Sequence, residues 1–470
     1  MRHGEEVGIT SLTLVTMAVI VYGLLNRRGY GRALALGGAT PVGAAFVFGG
    51  VAVPTFYAVA IGALIGLVLR LLQSSRDTTA GETVPVPASR SMVLLTVLSV
   101  LVTLVAPLLF DGLEVLSGDG SVGALAAGVV TRSNLAQITY LVLSLAVVAF
   151  LARSPGTGPG LVGTACCLTT LLSFWAWTHT SAGVPFPERF FDNSPAFTII
   201  ETLPGGAPRV RGILSEPAGL ATSCLVTLAY CASRVNSVDG LRRLGLFVVG
   251  GMALFLGSIS TSTTFVVAGL ALLGMAIAVA ITTFVVGGGS ISQSGIAALC
   301  VSVVALLWVL PSLANAIGQQ VADKVASSSY TDRSSADSRG YDILLDTFGL
   351  GAGLGSNRAS SFLASLLSTV GVFGAVLFAM IVVTLIRRSW DVRTARPAAW
   401  ALVAILICKV VSGPDLSDSS GVLWLSLGVL AHAAASDKPS RASRQPVVAG
   451  AGPLSRRRPP SEPPTSGVNW

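Results

Sequence analysis

Two short clusters combine side-chain types at spacings that suit binding of an anionic ligand. The first is Arg209-Val-Arg211-Gly212-Ile-Leu-Ser215-Glu216-Pro217. A guanidinium presents a fixed fork of donors that fits phosphate oxygens bidentately. Glu216 precedes a proline, which suits the first turn of a helix, so its carboxylate is expected at the positive end of a helix dipole, where it can act as a base. The same residues also read as a helix cap with an arginine counter-ion. The second cluster is Ser338-Arg339-Gly340-Tyr341-Asp342, followed by Asp346 and by Gly349-Leu-Gly351-Ala-Gly353-Leu-Gly355-Ser356-Asn357-Arg358. Arg339, Asp342 and Asp346 share one face of a short helix flanked by Ile343, Leu344 and Leu345, the pattern of an amphipathic helix at a membrane interface. The glycine run superficially echoes a nucleotide loop, but no strand precedes it and no βαβ unit surrounds it. Its glycines instead allow close approach to a ligand or a neighbouring helix. A third candidate is Lys409, near the end of an apolar run. It either pairs with Asp415 or Asp418 at the interface or faces a cavity.

A soluble core cannot be what holds these groups. Of 470 residues, 52% are hydrophobic and only 11% are Asp, Glu, Lys or Arg, against roughly 25% charged in soluble domains. A spanning helix needs roughly 20 mostly apolar residues. Apolar runs lie near 8–25, 33–50, 54–73, 92–110, 134–152, 160–178, 213–232, 244–257, 263–285, 293–315, 360–386, 398–412 and 420–436. The expected fold is an all-α polytopic membrane protein of about 12–13 transmembrane helices. The stretch 33–73 reads as two short spans or as one span plus a re-entrant segment. The 52 glycines and 23 prolines fit membrane helices, where both residues are frequent. Cys166, Cys167, Cys224, Cys231, Cys300 and Cys408 all fall in apolar runs, which argues against a disulfide framework or a metal site.

The net charge of +8 does not indicate nucleic-acid binding, because the basic residues collect in short connections and in the tail. Arg27, Arg28 and Arg32, then Arg234, Arg242 and Arg243, then Arg387, Arg388, Arg393 and Arg396 are expected in the cytoplasm. Alternate counting puts the loops at about 179–212 and 316–359 outside. Residues 1–436 form one transmembrane domain, and residues 437–470 are expected as a disordered, basic, proline-rich cytoplasmic tail. No cleavable signal peptide is expected. Arginines on the outer side, among them Arg189, Arg209, Arg211, Arg333, Arg339 and Arg358, again point to an anionic ligand.

The Arg-x-x-Gly…Glu-Pro element opening a mid-chain span, the Arg339-Gly340-Tyr341 segment in a late outer loop, the Gly-x-Gly-x-Gly-Ser run and the final spans resemble the O-antigen ligase and polymerase superfamily. The likeness is greatest to bacterial capsular and exopolysaccharide polymerases. The resemblance implies a membrane glycosyltransferase of GT-C type in the bacterial cytoplasmic membrane, with an extracytoplasmic active site. It implies action on undecaprenyl-pyrophosphate-linked oligosaccharides with neither cofactor nor metal, and the pathway's flippase and chain-length regulator as partners. On this reading Arg211, Glu216 and Arg339 are catalytic, and Arg209, Tyr341, Asp342, Arg358 and Lys409 bind substrate. The ligase branch carries a histidine in the late outer loop. Here the histidines are His3, His179 and His432, so a polymerase is expected ahead of a ligase. Further alternatives are a flippase for the lipid-linked oligosaccharide and a polymerase of the shape, elongation and division family.

Overall fold

The computed structural model describes residues 9–26, 29–48, 51–74, 86–117, 121–194, 209–286, 328–413, 416–417 and 420–436. The expected span at 293–315, the tail, Asp415 and Asp418 lie outside the described residues. The chain runs α1 (Ser11–Leu25), α2 (Tyr30–Gly38), β1 (Ala44–Phe48), β2 (Val51–Pro54), α3 (Thr55–Ser74), α4 (Ser89–Leu109), β3 (Glu114–Leu116), β4 (Val122–Ala124), α5 (Arg132–Ala152), α6 (Gly160–Ala182), α7 (Glu188–Phe191) and α8 (Pro217–Arg234). It continues through α9 (Gly240–Ile259), α10 (Thr263–Val286), α11 (Ser328–Asp346), α12 (Phe362–Ser389), α13 (Arg396–Val411) and α14 (Val422–Ser436).

Eight helices of the described residues are long and apolar enough to cross a membrane, and three shorter apolar helices coincide with expected spans. This is the architecture of a multi-pass helical membrane protein. Helices dominate because backbone amides in hydrocarbon must be satisfied within their own segment. Local signals set the starts. Thr10 and Thr131 cap α1 and α5 through reciprocal bonds with Thr13 and Asn134, and prolines open α8 and α13.

The stretch 33–50 is not a span. Its described residues run from α2 into the first strand of an antiparallel hairpin, β1–β2, so the described part of 33–73 holds one long helix, α3, preceded by a short helix and a hairpin. Alanines and glycines let this segment fold inside the bundle, where Ala44 and Ala45 are buried. Asn193 stands in as a strand partner at the hairpin edge, accepting from the Ala44 N–H and donating to the Ala44 carbonyl, both at 2.7 Å. Its amide also donates to Thr10 at 2.9 Å, tying the hairpin to the cap of α1.

The core lies where α5 packs along α3 and α14, with Tyr57, Leu151 and Trp424 fully buried. A second packed pair is α8 with α13, flanked by α6, α9 and α10. Lipid tails are as apolar as leucine, so close approach at small residues holds the helices together. Gly428 of α14, for example, lies directly against Leu151 of α5. Leu244, Phe247 and Leu254 of α9 point outward, as lipid-facing side chains do.

Helix α12 is broken. Gly371 has φ +69° and ψ −173°, a left-handed φ that favours glycine, and a Cβ there would collide with the Gly349 carbonyl. The glycine run satisfies the backbone groups freed by the break. Ala352 N–H donates to Ser368 O at 2.7 Å, Gly353 N–H to Thr369 O at 2.9 Å, and Val372 N–H to Gly349 O at 2.9 Å. The run is itself held by Thr103 of α4, whose hydroxyl accepts from Leu354 N–H at 2.9 Å, and by Asn134 of α5, which donates to Leu354 O at 2.6 Å. Its glycines therefore serve contact with neighbouring helices. The interfacial helix expected around Arg339 is α11. It buries Ile343 against Val115, Leu125 and Ala352 and exposes Tyr341 and Leu345, with Phe348 exposed just past its end.

Candidate active site

A cavity of about 410 Å³ opens where the early turns of α3, α5, α6, α8 and α14 meet the last turns of α13. Arg27 and Arg28 lie outside the described residues, and six other arginines expected in the cytoplasm sit at the opposite end from the cavity. Arg234 closes α8, Arg242 and Arg243 open α9, Arg387 and Arg388 close α12, and Arg396 opens α13. Arg70, late in α3, joins them there, with its guanidinium 4.4 Å from the Phe150 ring centroid and donating to Ser154 at 3.1 Å.

Three of the residues expected at the site line this cavity: Glu216, Arg358 and Lys409. Each arrives by a different route. Glu216 is the residue before Pro217, where a strap of chain enters α8. Arg358 follows the glycine run. Its amide donates to Leu116 O at 2.9 Å, and neighbouring Asn357 accepts from Leu116 N–H and donates to Ser368, both at 3.0 Å. Lys409 sits in the last turn of α13, only 7% exposed, with its ammonium 5.8 Å from the Phe362 ring centroid. Lys409 lines the cavity, while Asp415 and Asp418, its alternative partners, lie outside the described residues. The Glu216 carboxylate also lies 4.0 Å from Arg333 of α11.

The rest of the lining is uncharged and mixes apolar side chains such as Val42, Leu214, Val226 and Ile405 with neutral polar ones. Tyr57 and Tyr140 stack with ring centroids 4.1 Å apart, and Gln137 accepts from the Ser417 hydroxyl at 2.7 Å. Thr169, Thr222 and Ser223 add hydroxyls from α6 and α8. The arrangement offers one carboxylate, two cations and several groups that both donate and accept in one cavity. Such a set can neutralise an anion and orient hydroxyl-bearing molecules beside a base.

The other expected residues lie elsewhere. Arg209 donates to Thr261 O at 2.9 Å, to the Thr261 hydroxyl at 3.2 Å and to Ser260 O at 3.4 Å, satisfying carbonyls just past the end of α9. Arg211 is bonded to Asp192 and to Leu214 O. Neither arginine lines the cavity. Arg339, Tyr341 and Asp342 are on α11, outside the lining, and Arg339 Nη1 is a buried donor with no hydrogen-bond partner among the described residues.

Sequence reasoning passed over Asp192, Asp337, Tyr57, Tyr140 and Gln137. Asp337 accepts from the Ser360 and Ser361 amides at 2.7 and 2.8 Å, so it fastens α11 to the start of α12 and fixes the chain just after Arg358. A carboxylate in a loop expected outside was the one available signal for Asp192 and Asp337. The tyrosines and the glutamine sit in apolar runs that look like ordinary span. Among the described residues no group of His, Cys, Asp and Glu is placed to hold a metal ion. No protein-family model matches the chain, and no curated protein matches it at a significant level.

Proposed function

We propose that this protein is a GT-C-like membrane glycosyltransferase of the polysaccharide-polymerase kind, joining oligosaccharide units carried on undecaprenyl pyrophosphate at the outer face of the bacterial cytoplasmic membrane. The observation that carries the reading is the convergence of Glu216, Arg358 and Lys409 on one cavity, at the end of the bundle opposite the arginine-rich connections. By the positive-inside rule that end faces away from the cytoplasm.

In the reaction, a hydroxyl of one unit attacks the anomeric carbon of the glycan on a second unit. Glu216 takes the hydroxyl proton as the new C–O bond forms, and the bond to the pyrophosphate oxygen breaks with its electron pair. Lys409 and Arg358 neutralise the charge that grows on the leaving group. No nucleotide is consumed, because the donor already carries an activated pyrophosphate linkage. The unpartnered donor on Arg339 supports a further anion contact from α11, since a buried unpaired donor in a native protein calls for a ligand or water.

A flippase is the second reading, favoured by the broken helix α12, because interrupted helices build transporter sites. Here the groups freed by the break are bound by the glycine run, and Gly371 does not line the cavity, so the enzyme reading is preferred. Purified protein in lipid bilayers, given lipid-pyrophosphate-linked repeat units, is expected to yield a ladder of products on a gel. Movement of the units across the bilayer with no ladder would establish the flippase instead.

A further inference from the structure

We propose that Asp192 and Arg211 form a positioning pair that sets the Glu216 carboxylate, and that Arg211 is a brace of the site and not a ligand of the donor. This rests on the reading of Glu216 as the general base.

The argument starts from the guanidinium. Arg211 Nη2 meets Asp192 Oδ2 at 2.5 Å, with the two side chains 25% and 23% exposed, so the pair is largely withdrawn from solvent. Arg211 Nη1 donates to Leu214 O at 2.9 Å, closing a turn two residues before Glu216. Each terminal nitrogen thus has one N–H bonded within the protein, and Arg211 does not line the cavity, so its side chain is set to hold the turn.

The turn is pressed against α6. Gly212 has φ +58°, and a Cβ on it would stand 2.5 Å from the Ser173 Cβ, so the turn approaches the helix as closely as only a glycine allows. Ile213 N–H donates to the Ser173 hydroxyl at 3.4 Å. Upstream, Arg209 is anchored at the turn between α9 and α10. Downstream, Glu216 O accepts from Leu220 N–H at 3.2 Å, the first bond of α8. On the other side of the pair, Phe191 next to Asp192 is buried in one cluster with Ile213, Leu214 and Leu220. Glu216 thus sits where a strap fixed at both ends enters a helix, and the Asp192 to Arg211 bond crosses the middle of that strap. Taking away the Asp192 charge releases one of the two bonds that hold the guanidinium, which lets the turn swing away from α6 and carries the carboxylate with it.

The test uses the full chain in lipid bilayers with lipid-pyrophosphate-linked repeat units. Asp192→Asn keeps the shape and removes the charge. It is expected to lower kcat by about 10²-fold, the cost of a displacement near 1 Å at a reacting group, with donor KM unchanged. Asp192→Glu is expected to restore much of the lost rate. The double variant Asp192→Asn with Arg211→Ala is expected to be no worse than the worse single one, because members of one unit do not add. A raised donor KM at unchanged kcat for Arg211→Ala would overturn the proposal in favour of direct binding. Wild-type kinetics for Asp192→Asn would overturn it as well.

A second measurement works without turnover. Ser215 lines the cavity, and in a Ser215→Cys chain the Asp192→Asn change is expected to alter the rate of maleimide labelling at residue 215 several-fold, read by mass spectrometry. An unchanged rate overturns the pair's positioning role whatever the activity. An inactive wild-type protein whose labelling does shift would instead overturn the glycosyltransferase reading alone.

Discussion

Replacing Lys409 with methionine removes one of the two cations of the cavity while keeping the length and flexibility of the side chain. Lys409 is 7% exposed, so its charge is only weakly screened by solvent. Two unit charges about 4 Å apart at an effective dielectric of about 20 attract by about 4 kcal/mol. Removing water from the ammonium and the phosphate offsets part of this. Taking the offset as about half leaves about 2 kcal/mol, which is about 30-fold in affinity. Steady-state kinetics on lipid-linked units should therefore show donor KM raised by about 30-fold, with the yield of folded protein unchanged. Wild-type KM at normal abundance would refute the cavity role. A drop in folded protein with normal KM in the remainder would mean that Lys409 serves a local ion pair, with Asp415 or Asp418 as the nearest acids in sequence.

Gly371→Ala should destabilise the protein by more than the roughly 1–2 kcal/mol of a left-handed residue, because the added methyl also meets the Gly349 carbonyl. Gly160→Ala, whose Cβ meets open space, should leave the melting temperature unchanged, and equal melting of the two variants would contradict the account of the break. For orientation, a cysteine at Ser335 should react with an impermeant thiol reagent added outside intact cells and a cysteine at Thr394 should not. The reverse pattern would place the cavity in the cytoplasm.

The spans were legible because hydrocarbon imposes a simple rule on length and apolarity, and eleven of the expected runs begin and end within a few residues of a described helix, as at 134–152 and 263–285. The hairpin at 44–54 was not, because Ala, Val and Phe in a buried strand leave the same trace as in a helix. At the site, Glu216 could be read from its proline, since a helix start has a local signature. The arginines could not be ranked from sequence. Arg209 and Arg211 stand beside Glu216 along the chain yet spend their donors on Thr261, Asp192 and Leu214. Arg358 and Lys409 lie more than a hundred residues from Glu216 and share its cavity. Which cation is spoken for depends on partners that only folding brings near, and the same holds for Tyr57, Gln137 and Tyr140.

A ribosome makes the pieces of this membrane protein in a particular order, and the break in α12 depends on that order. Residues 362–389 leave the ribosome as one long apolar stretch, suited to entering the bilayer as an uninterrupted helix. Broken and uncovered, the carbonyls of Ser368 and Thr369 would each cost several kcal/mol in lipid. Their partners, Ala352 and Gly353, and the anchors of those partners, Thr103 and Asn134, all precede α12 in the chain. The nascent α12 therefore meets a finished receptor, and its kink forms against groups already in place. A defect at Thr103 or Asn134 would accordingly surface as misinsertion of a segment more than two hundred residues later.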